Sequence, residues 1–167
     1  QVTTWQNGDV MAVEIDDQRQ MPCTINVDLR KLRYATQWVD ARNWELSSRH
    51  ASEVLRGEHS AVSRLDIRDG RIILTQQFRE GEFYSASAVA IAALGRSSHA
   101  GYYNETTIRL SVQVGPGKAN LLMATAASFD PDEDVANKAI QALDAAETRG
   151  MHGILEDNAA WWCDYWS

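Results

Sequence analysis

The chain has 167 residues and a formal net charge of −7, from 16 lysines and arginines against 23 aspartates and glutamates. That balance argues against a nucleic-acid partner, which needs a concentrated basic stripe, and no stretch reaches the ~18 apolar residues of a membrane span. With a hydrophobic content of 44%, the length predicts one globular domain, alone or with an appendage.

Up to about residue 128 the signal is β. "VMAVEI" and "CTINVDL" alternate at period two and are separated by the polar cluster "DDQRQMP". The next segment, residues 34–62, shows no clean period and reads as a long irregular connection. It holds Trp38, Trp44, His50 and His59, too much aromatic content for a disordered stretch. "SRLDIRDGRIILTQQF" follows, with Asp69-Gly70 as a hairpin turn, because glycine accepts the positive φ of a primed turn. Glu80-Gly81 turns the chain into "EFYSASAVAIAAL", and Gly115-Pro116-Gly117 joins "ETTIRLSVQV" to "KANLLMATAAS" as a third pair. Seven or eight strands in sequential hairpins predict an antiparallel β-sandwich.

After Phe129 the period changes to that of a helix. In "DPDEDVANKAIQALDAAETRG", Asp130 is placed to cap the free amides, Pro131 fits the first turn and Glu133 completes a capping-box pattern. Val135, Ala139, Ile140 and Leu143 share one face, and Gly150 is a natural stop. A second helix is expected from about His152 to the end. Leu155, Trp162 and Trp166 lie on one face of it, with Trp161 and Tyr165 stacked one turn apart.

Chemistry-bearing clusters are sparse. Asp16 and Asp17 are adjacent and point to opposite faces of a strand, while Asp132, Glu133 and Asp134 open a helix, where negative charge belongs. Neither is the spaced carboxylate pair of a glycosidase. His50, His59, His99 and His152 show no ligand spacing, and Cys23 and Cys163 match no metal motif, so no metal, cofactor or catalytic residue is expected within this chain. The two cysteines are expected as buried free thiols, in preference to a disulfide. No "GxSxG" elbow occurs, and the glycines of 115–117 form a turn and not a phosphate cradle. Trp38, Trp44 and His50, with Arg42 and Arg49 beside them, combine flat apolar faces with donors, the mixture that recognises sugar rings. The alternative is that these tryptophans, like Trp5, anchor the core.

The run "NAAWWCDYWS" places Trp161, Trp162, Tyr165 and Trp166 within the last seven residues. Apolar residues nearly encircle the last two turns, which predicts a helix covered on more than one side, by the chain's own sandwich and by a further domain. The order of elements — strands, then "LLMATAASFDPDEDVANKAIQALDAAETRG", then "HGILEDNAAWWCDYWS" — resembles the N-terminal β-sandwich and helical linker of glycoside hydrolase family 95, and more distantly family 65. In those enzymes the linker feeds an (α/α)6 barrel, and a "W…FW" motif near its start is similar to Trp162, Tyr165 and Trp166. "RLDIRDGRIILTQQFREGEFYSASAVAIA" resembles the sandwich's "LDL" strand, turn and aromatic-Ser strand.

The resemblance implies a supersandwich at residues 1–128, incomplete at its N-terminal edge. It implies a helical linker at 129–167 leading to a barrel absent from this sequence, with the catalytic carboxylates in that barrel. It also implies a periplasmic or extracellular location, and as partners the barrel of the same polypeptide and an oligosaccharide. An autonomous carbohydrate-binding module is the alternative, and a protein-interaction domain a third.

Overall fold

Asp69 and Gly70 adopt φ of 49° and 75°, the left-handed geometry of a primed two-residue turn. They set Arg68 opposite Arg71, and the central meander grows from that hairpin. The computed structural model describes the backbone of residues 1–31, 44–48, 51–56 and 59–167, and the side chains of 1–31 and 61–167. Among the described residues there are eleven strands: β1 Val2–Trp5, β2 Val10–Asp17, β3 Cys23–Arg30, β4 Trp44–Ser48, β5 Ala51–Arg56, β6 His59–Arg68, β7 Arg71–Glu80, β8 Phe83–Leu94, β9 Ser98–Asn104, β10 Thr107–Val114 and β11 Gly117–Ser128. One helical element, α1, spans Val135–Tyr165.

The strands form two antiparallel sheets. The large one has the order β1-β2-β11-β8-β7-β6-β5-β4 and the small one β3-β10-β9. The expected antiparallel sandwich with a C-terminal helix is what the chain forms. Three details differ. The segment read as irregular contains β4, β5 and the start of β6; the pairs Trp44↔Val54 and Val54↔Ala61 are held by the backbone ladder, which needs no alternation of side chains. Gly115-Pro116-Gly117 does not close a hairpin, because β10 and β11 belong to different sheets. Proline breaks the ladder there and the glycines turn the chain across the sandwich. Strands β1 and β9 have no counterpart in the sequence reading; β1 pairs β2 from Val2↔Val13 to Trp5↔Val10, and β9 pairs β10 from Ser98↔Val112 to Asn104↔Thr107.

The large sheet is the middle layer. On one face Leu65, Ile72, Ile91 and Ala119 meet Ile108, Leu110, Val112 and Val114 of the small sheet. On the other, Ile73, Ala88, Ala90, Leu122 and Ala124 meet Val135, Ala139, Leu143 and Ala146 of α1. The predicted helix face is therefore the one that packs, with Ile140 at its margin.

The helix begins later than its sequence suggests. Asp134 is the cap, its Oδ1 accepting the Asn137 N–H at 3.0 Å. Asp130 instead closes a tight turn, accepting the N–H of Asp132 on its carboxylate and that of Glu133 on its carbonyl. Pro131 suits the second position of such a turn as well as a helix start, and the turn brings the chain from β11 back over the sheet.

Gly150 breaks the helix in two, with φ 72° and ψ 163° inside it, a conformation essentially confined to glycine. The kink is clamped. Arg149 Nε and NH2 donate to the Asp157 carboxylate at 2.9 and 2.7 Å, and Trp5 Nε1 donates to the same carboxylate at 2.8 Å. Gly153 makes room for this, since a Cβ there would lie 2.6 Å from the Arg149 guanidinium carbon. Trp5 is thus a core anchor, 9% exposed.

Arg149 first, and Trp5 second, hold the Asp157 carboxyl down to about 2 from an ordinary 3.8. A depressed carboxylate pKa contributes stability that is present above the unfolded value and lost as pH falls through the folded one. The stability advantage of the wild type over Asp157→Asn is therefore expected to be constant above about pH 5 and to shrink between about pH 4 and pH 2. Thermal unfolding of both proteins across that range checks it; a difference that does not change with pH would remove the clamp's ionic character.

Candidate functional site

Beyond the clamp the second half of α1 first packs and then leaves the sheet. Met151, Gly153 and Ile154 are buried and Leu155 is partly buried against the helix-side core. Every residue from Ala159 to Ser167 is exposed. Trp161, Trp162, Tyr165 and Trp166 are 39, 44, 62 and 76% exposed.

They pack on one another. Trp161 and Tyr165 stack with centroids 5.2 Å apart and planes 13° from parallel. Trp162 and Trp166 do the same at 6.4 Å and 14°. Edge-to-face contacts of 4.7 Å between Trp161 and Trp162, and 5.0 Å between Tyr165 and Trp166, join the two stacks. Spacing of one turn produces each stack, as the sequence predicts. The sheet covers none of these four residues to the extent of burial. Helix geometry explains this: the face that carries Leu155 onto the core runs past the sheet's edge before it reaches Trp162 and Trp166. The Gly150 kink and the Asp157 clamp fix where the overhang points.

The other sequence candidates fare differently. Trp38 and His50 lie outside the described residues. Trp44 opens β4 opposite Val54, and its side chain lies outside the described set as well. Asp16 is exposed and Asp17 is buried, on opposite faces of β2. Asp17 is held by Arg19 at 2.7 and 3.0 Å, which lowers its pKa. Among the described residues no cluster of three His, Cys, Asp or Glu is arranged to hold a metal ion. Cys23 and Cys163 are free, but neither is buried: Cys23 is partly exposed at a strand start and Cys163 is exposed in the overhanging turn. No helix among the described residues is long and apolar enough to cross a membrane.

A second feature went unread in the sequence. The small sheet covers only part of the large sheet's inner face. Going outward along the strands, the covered rung Leu65–Leu74–Val89 gives way to Ser63–Gln76–Ser87–Ala127 and then to Ala61–Phe78–Ser85. These rungs floor a trough of about 570 Å³. Phe83 and Phe129 stand at its outer end, 52 and 76% exposed, with Phe83 centred 6.4 Å from Phe78 and 6.0 Å from Phe129. The signal was present as period-two Ser and Ala in "YSASAVA". Small residues on both faces of one strand hid which face was open.

The chain matches no protein-family model and no curated protein sequence.

Proposed function

We propose that this chain is the non-catalytic β-sandwich and helical linker of a larger glycoside hydrolase, and that its aromatic helix end seats against the catalytic barrel of the same polypeptide. The observation that carries the reading is the stacked quartet Trp161, Trp162, Tyr165 and Trp166, exposed on a helix whose direction is fixed. Contiguous exposed aromatic surface of this kind marks an interaction site. Tryptophan and tyrosine are also the side chains that dominate interface energetics. The order of elements, sandwich then kinked helix then aromatic turn, agrees with the resemblance to family 95.

The acidic groups support a non-catalytic role. Asp17, Asp28 and Asp157 are each held by an arginine, and none lines the trough. The sandwich then acts as a buttress and the chemistry belongs to the barrel. Assays on aryl glycosides and polysaccharides are expected to give no turnover with the purified chain. Turnover by the chain alone, abolished by a single carboxylate substitution, would overturn the assignment.

A further inference from the structure

The trough on the inner face of the large sheet has a chemistry that neither a core nor a solvated surface accounts for. None of the described lining residues that alternate onto this face is charged, although 23% of the chain is. The opposite face of the same strands behaves as a solvated face should, with Arg64 and Arg79 exposed on β6 and β7. A core, on the other hand, would continue the Leu65–Leu74–Val89 rung with more aliphatic side chains. The trough instead offers the hydroxyls of Ser85 and Ser87 and the amide of Gln76 beside the buried Ser63, with the Phe78, Phe83 and Phe129 rings at one end.

We infer that this trough binds a neutral saccharide. Hydroxyls and a carboxamide both donate and accept, so they match a ligand whose perimeter is itself hydroxyl groups. Residues two apart on a strand lie about 7 Å from each other and neighbouring strands about 4.8 Å, so the floor is a flat lattice of such groups. The phenylalanine rings supply apolar faces for the C–H face of a sugar ring. A volume of about 570 Å³ lies within the ~300–1,000 Å³ range of small-molecule sites, enough for a short oligosaccharide.

Other occupants fit less well. An anionic ligand finds no cation among the described lining residues. A lipid chain would leave the serines and Gln76 unpaired. A peptide strand adds to a sheet at its edge and not on its face. The floor is accessible on its β7, β8 and β11 side, where Gln76, Ser87 and Ala127 are exposed, while Ser63 and Ala61 of β6 are buried. This inference stands apart from the enzyme assignment, because it concerns a face of the sandwich remote in sequence from the aromatic end.

Isothermal titration of the whole chain with maltohexaose, cellohexaose, xylohexaose and mannohexaose tests it, with oligogalacturonate as the anionic control. At least one neutral oligosaccharide is expected to bind saturably and oligogalacturonate is not. Ser87→Lys, at an exposed position, is expected to weaken that binding at least tenfold with no change in Tm, and Gln76→Ala several-fold. Trp161→Ala with Tyr165→Ala is expected to leave it unchanged. Four results overturn the inference: no saturable binding by any neutral probe, equal binding by oligogalacturonate, binding indifferent to Ser87→Lys, or loss only in the Trp161/Tyr165 variant, which would move the site to the helix end. A dimer seen by sedimentation without sugar, and dissolved by Ser87→Lys, would assign the trough to self-association instead. All of these but the loss confined to the Trp161/Tyr165 variant leave the docking role of the aromatic end untouched, since that role is read on the longer polypeptide; that one outcome would count against both.

Discussion

Leu143→Ala is expected to destabilise the chain by about 2–5 kcal/mol. The reason lies in what surrounds it. The sheet face beneath α1 is paved with Ala86, Ala88, Ala90, Ala92, Ala124 and Ala126, and the helix meets it with Ala136, Ala139 and Ala146. Alanine on both sides lets helix and sheet approach closely, and leaves few large side chains to fill the remaining space. Leu143 and Ile154 from the helix, with Ile73 and Leu122 from the sheet, all 0% exposed, do most of that filling. A cavity left by Leu143 cannot collapse, because the neighbouring Cβ atoms are fixed to ladder and helix backbones, and such rigid sites sit at the high end of the truncation range. Ile140→Ala, at the margin of the same face, should cost clearly less. Urea denaturation measures both: the midpoint should fall with the m-value unchanged. A loss below about 1 kcal/mol for Leu143→Ala would mean that the helix is not seated on the alanine face.

How far such features could be read beforehand depended on whether the signal was local. The Asp69-Gly70 hairpin is legible because the turn chemistry and the alternation on both sides sit within sixteen residues. The packing face of α1 is legible for the same reason: Val135, Ala139 and Leu143 repeat at the helix period. Sheet membership is not local. β2 and β3 look alike in sequence, yet β2 pairs β1 and β11 while β3 pairs β10. Nothing in "DDQRQMP" or in the glycines of 115–117 says that the chain changes sheet there.

The cap of α1 was misplaced because Asp130 and Asp134 are both competent N-caps. What separates them is the turn needed after β11, a tertiary demand. Trp5 could not be distinguished from a surface tryptophan because its partner, Asp157, is 152 residues away. The aromatic quartet was legible as a cluster, and its stacking followed from spacing. That it overhangs depended on where the sheet ends.

The helix end and the trough share a logic of incomplete cover. In each, a packed row of side chains continues past the element that covers it: Leu155 toward Trp162 and Trp166, and Leu65–Leu74–Val89 toward Ser63–Gln76–Ser87. They differ in what the continuation is made of. The helix row becomes aromatic and demands a protein-like partner surface, while the sheet row becomes hydroxylated and suits a polar ligand. The two proposals thus place a mechanical and a recognition role on separate faces of the same sandwich.

In the chain alone, Trp162→Ala with Trp166→Ala is expected to change stability little. Both side chains are largely solvent-exposed, at 44 and 76%, and surface substitutions typically shift stability by no more than ~0.5 kcal/mol. The mutual stacking they lose adds roughly 0.5–1.5 kcal/mol, confined to the exposed helix end. In the longer polypeptide proposed above, the same pair should act as interface anchors, each contributing on the order of 2 kcal/mol or more to coupling between the sandwich and the proposed barrel. Calorimetry separates the two settings. On that proposal, the longer wild-type protein should unfold with the sandwich and barrel coupled, whereas the double variant should show the sandwich melting alone at the temperature found for residues 1–167. Indole emission gives an independent reading: red-shifted in the chain alone and blue-shifted in the intact protein, with the difference abolished in the double variant. If the double variant is instead as damaged in the isolated chain as in the intact polypeptide, the four aromatics are internal to this fold, and the seat on a neighbouring barrel is not what they are for.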